Sequence, residues 1–111
     1  MDPIDRQAVV VLPKEPLVDW LNEVDPDHPV WFEDISWRGN VYLIPCFETI
    51  EEAEDHVAAI YDEILCSELA GWIRDEEKWP KERTYELFTE WFDVIYDVVV
   101  FDTLKGSIKK G

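Results

Sequence analysis

In "RQAVVVLPK" every position from Ala8 to Leu12 is apolar, without the alternation of a strand wet on one face. The run predicts a strand at about residues 7–12, stopped by Pro13. The period then changes. Leu17, Trp20, Leu21 and Val24 fall on one helical face behind Pro16, which suits a first helical turn. That helix ends in "DPDHP", where the residues before Pro26 and Pro29 are driven out of helical conformation. "VWFEDISWRG" predicts a short helix opened by Pro29 and stopped at Gly39, with Trp31, Phe32 and Ile35 turned inward. "NVYLIPCF" predicts a second strand at about 40–47.

The strongest local signal is "TIEE". Thr49 is placed to cap a helix while Glu52 reaches back to the Thr49 amide, the capping-box pattern. Behind it Ile50, Ala53, Val57, Ile60, Tyr61, Ile64, Leu65 and Leu69 form an apolar stripe of helical period, and Gly71 is the expected stop. "RTYELFTEWF" predicts a further helix, with Tyr85, Phe88 and Phe92 at helical spacing, and "DVIYDVVVFD" a third strand.

The elements read β-α-α-β-α-α-β, an α+β (mixed α-β) fold with a small three-stranded sheet and about four helices. Long helical crossovers favour parallel neighbours. "AVVVL" and "VVVF" are apolar on both faces, so the sheet should be covered on both sides, by helices or by a second subunit. A homodimer burying one sheet face is compatible with that pattern. The 111 residues make one domain, expected over 1–104, with a frayed basic tail over 105–111.

Charge narrows the partners. The formal net charge is −16, and all 26 acids but only seven of the ten bases lie before residue 105. Such a surface repels nucleic-acid phosphates and anionic lipid headgroups and attracts cationic partners, while also keeping a small protein soluble. The 47% hydrophobic content argues for a folded core. No apolar run approaches the roughly 20 residues that span a bilayer, and none follows "MDPIDRQ" as a secretion signal requires. Two cysteines make no disulfide framework. A cytoplasmic protein with reduced thiols is expected.

The stretches "EPLVDWL", "YLIP", "YDEI" followed by "ELAGW", "EEKWP" and "WFDVIYDVVVFD" together resemble a family of short acidic bacterial proteins of uncharacterised function. The resemblance spans nearly the whole chain. It implies a bacterial cytosolic protein and brings with it no activity, cofactor or catalytic residue.

The candidate sites are few. In "RDEEKWPKER" four acids and four bases surround Trp79 and Pro80. Pro80 is expected to open the next helix, leaving Trp79 either as a plug between two helices or as an exposed anchor for a partner. Glu51, Glu52, Asp55 and Asp62 lie on the polar side of the long helix with His56, and Glu52 and His56, four apart, could share a metal. Acids in a first turn also stabilise a helix without any ligand. Asp25, Asp27 and His28 in "DPDHP" are a second weak cation candidate, with spacing that fits no EF-hand. Cys46 near a helix start reads as a buried core thiol, because no CxxC partner exists and Glu48 and Glu51 oppose a thiolate. Asp97 interrupts an apolar strand and calls for a partner or a wet edge. No phosphate loop or nucleophile elbow occurs, so no cofactor and no catalytic residue is assigned.

The sequence therefore favours a non-enzymatic acidic interaction protein, of adaptor or inhibitor type, meeting a basic protein through its acidic surface, with Trp79, Glu51, Asp55 and Asp62 as contact candidates. The alternative is a small metal- or ligand-binding protein, enzymatic or not, using the acid and histidine clusters.

Overall fold

The Val-rich run forms the central strand, β1 (Asp2–Pro13), of a three-stranded sheet flanked by β2 (Asn40–Pro45) and β3 (Phe92–Asp102). Between β1 and β2 lie α1 (Glu15–Val24) and the short α2 (Phe32–Ile35); between β2 and β3 lie α3 (Ile50–Trp72), a 3₁₀ turn at Glu76–Lys78 and α4 (Tyr85–Trp91). The computed structural model describes the backbone over residues 2–102 and the side chains over residues 6–96. The expected basic tail at 105–111 and the Asp97 side chain lie outside these limits.

The fold is the expected α+β arrangement in the expected order, but strand direction differs. Both pairs are antiparallel, with Val10 opposite Val41 on β2 and opposite Ile95 on β3. The reason is topological. β2 and β3 run the same way and are joined by the long helical crossover, as that rule requires, but β1 lies between them. Every hydrogen-bonded pair therefore becomes antiparallel.

The helices do not cover both faces. Val9, Val11, Ile44 and Phe92 join Leu17, Leu21, Val57, Leu65, Leu69, Phe88 and Trp91 in one core. On the opposite face Val41, Leu43 and Ile95 remain 60%, 54% and 44% exposed. Register aligns Val41, Val10 and Ile95 in one row across all three strands. Gly39 sits against the same face: a Cβ there would lie 2.6 Å from Leu12 Cδ2 and 3.0 Å from Val10 Cγ1. A larger residue would force the Leu12 and Val10 side chains to shift.

Local details refine the helix ends. Thr49 Oγ1 accepts from the Glu52 amide at 3.2 Å, but Glu52 Oε1 accepts from the Thr49 hydroxyl (3.2 Å), where in a capping box it would accept from the Thr49 amide. Helix α3 runs through Gly71 to Trp72. Helix α4 starts later than Pro80, because the Thr84 hydroxyl accepts from the Leu87 amide at 3.1 Å. Trp31 is exposed at the cap of α2, contrary to its expected inward turn, while Ile35 is buried. The "DPDHP" loop is closed by Asn22, whose amide group clamps the Val30 N–H at 2.7 Å and its carbonyl at 2.9 Å.

Candidate functional site

Trp79 is 8% exposed, and its indole N–H donates to the Ile73 carbonyl just past the end of α3 (2.8 Å). The ring thus fills the joint while Asp75, Glu76, Glu77 and Lys78 remain in solvent. Nearby, Arg83 donates from Nε to Asp62 Oδ1 (2.9 Å) and from Nη1 to the Pro80 carbonyl (3.1 Å), and the Tyr61 hydroxyl donates to the Arg83 carbonyl (2.8 Å). Two of the expected contact residues, Trp79 and Asp62, are therefore engaged in holding the α3–α4 connection. Glu51 and Asp55 are exposed on α3.

The cation candidates do not gather. His28 Nδ1 lies 3.1 Å from Asp25 Oδ1 on an exposed loop, and Asp27 is exposed beside them. The His56 ring packs on Phe47, with centroids 5.4 Å apart, while Glu52 is engaged with Thr49. Among the described residues no three His, Cys, Asp or Glu side chains come together as a metal set.

Cys46 needs correction. It is exposed, because β2 ends at Pro45 and the chain leaves the sheet before α3 begins. Cys66 is the partly buried thiol, and burial pushes its pKa up, with Arg83 opposing and Asp62 adding to the rise.

The group that stands out was not among these candidates. Glu68, on the inward side of α3, is 5% exposed and the one buried charged residue among the described side chains. Asn40 Nδ2 donates to its Oε2 at 2.7 Å and the Tyr42 hydroxyl donates to the same oxygen at 2.5 Å, with Ser67 Oγ 3.3 Å from the phenol. Burial first, and the Glu68 hydrogen bond second, push the Tyr42 pKa up to about 12. No ion pair reaches Glu68 among the described residues. Two neutral donors, both from the start of β2, thus hold a buried carboxylate beside a cleft of about 230 Å³ between β2 and the last turns of α3. Glu68 was legible as an anomaly: it lies four residues after Ile64 and three after Leu65, within the apolar stripe.

Compared with protein families, curated proteins and solved structures, the chain matches none. Among the described residues no helix is long and apolar enough to cross a membrane.

Proposed function

We propose that the protein is a non-enzymatic acidic interaction protein, of adaptor or inhibitor type, that binds a basic protein. The observation that carries this reading is the uncovered apolar sheet face in so acidic a chain. An antiparallel sheet with one wet face ordinarily alternates polar residues onto that face. Here Val41, Leu43 and Ile95 are exposed on it, and contiguous apolar patches mark interaction surfaces. The net charge of −16 sets the complementary chemistry: a basic partner is steered in and like-charged ones are repelled. A bacterial, cytoplasmic setting belongs to the same proposal, resting on the resemblance of the motifs given above.

The metal-binding alternative draws no support from the acid and histidine clusters, which stay apart. The homodimer is the competing occupant of the sheet face. Native mass spectrometry of the chain with co-purified protein, at low and raised ionic strength, tests the reading. A basic companion that is lost at high salt, and lost in a Val41→Thr/Leu43→Thr double variant, is the expected result. A companion held equally well at both salt levels, or a doubled mass with no other protein, would overturn it.

A further inference from the structure

We propose that the Glu68 cleft is a receptor for one organic cation, the ammonium or guanidinium end of a side chain on the basic partner. This rests on the preceding reading and specifies the chemistry of the contact. Both neutral donors converge on Oε2 of Glu68, leaving Oε1 without a donor. Among the described residues no fully buried side-chain polar atom lacks a hydrogen bond, so Oε1 borders accessible space, and Glu68 lines the cleft. A charged carboxylate nine-tenths buried and lacking an ion pair gains most from an incoming cation, since charge-assisted bonds strengthen away from water.

The cleft fits that ligand in size and walls. Pockets for drug-sized molecules run to roughly 300–1,000 Å³. At about 230 Å³ this one suits a single side-chain end. Trp72 supplies an aromatic wall of the kind cations favour, and Ser67 a hydroxyl at the edge. Gly71 keeps the mouth open, with no atom within 4 Å of where its Cβ would stand. Arg38 also lines the cleft, and its guanidinium lies 5.5 Å from the centre of the Trp37 ring. As a like charge it weakens an incoming cation, so its removal should strengthen binding.

The probe is ethylguanidinium chloride, titrated into the 111-residue chain at fixed ionic strength and followed by amide NMR shifts. Saturable shifts are expected at residues 38–42 and 67–72. Glu68→Gln keeps the shape but removes the charge, and should weaken the response by roughly tenfold or more. Gly71→Leu fills the mouth, leaves Glu68 intact and favours the helix, so it should abolish the response without lowering Tm. Arg38→Gln should tighten binding. Shifts spread over the exposed acids of α3, equal in wild type and both cleft variants, would overturn the proposal while leaving the salt-sensitive partner reading standing. Absence of any shift in the wild type would also overturn it. A salt-insensitive partner together with a responsive cleft would instead sink the salt-sensitive basic-partner reading alone.

Discussion

Trp79 offers the sharpest test of how the structure is held together. Its indole is 8% exposed within the main core cluster, and its N–H satisfies the carbonyl of Ile73, where α3 ends. Truncation to alanine removes a buried ring and leaves a cavity the joint cannot fully close, a change that costs about 3–5 kcal/mol. Trp79→Phe keeps most of the apolar volume but removes the donor; the unpaired carbonyl contributes about 1–3 kcal/mol. Domains of this size are stable by only about 5–15 kcal/mol, so the alanine variant should approach the margin. Urea unfolding followed by far-UV circular dichroism measures both variants, with the m-value checking that the denatured state is unchanged. The expected order is wild type, then Trp79→Phe, then Trp79→Ala. An alanine cost below about 1 kcal/mol would refute the plug, since a solvated indole loses little on truncation.

Other expectations follow from single contacts. The phenols of Tyr42 and Tyr96 are each pushed up to about 12, chiefly by burial, so an absorbance titration should show two tyrosines ionising late. Their unfolded counterparts ionise near 10, so each contributes stability that is complete below that pH and lost as pH rises toward 12; Glu68→Gln should bring Tyr42 down and leave Tyr96 in place. Exposed Cys46 should react with a thiol reagent in the native state, whereas Cys66, partly buried with a raised pKa, should lag until unfolding; two equally fast thiols would contradict this. Thr49→Ala removes the acceptor for the Glu52 amide and should cost about 1 kcal/mol in the same urea assay.

What the sequence made legible was whatever is encoded within one or two helical turns. The Thr49 cap, the α3 stripe and the Val-rich strands all rest on such short spacings. Strand direction was not legible, because the crossover rule governs β2 and β3 but cannot say that β1 lies between them. Cys46 went wrong for a related reason. Its burial depends on whether the strand continues past Pro45, and it does not.

Glu68 shows the limit most clearly. Its place in the stripe marks it as an acid on a core-facing side, which alone would leave a costly buried charge. What makes it tolerable is a pair of donors 26 and 28 residues away on a strand that reads as ordinary β sequence. Tyr42 and Asn40 share one face of β2 by the period of two, so a single register with β1 delivers both to the same oxygen. A slip of one residue would turn both away from α3 and strand the carboxylate. The Glu68 pair thus penalises misregistered β2, even though that strand's exposed residues, Val41 and Leu43, are as apolar as its buried Ile44 and so select register weakly. The carboxylate that gathers the two β2 donors is thus the same group that fixes which face of β2 stays uncovered.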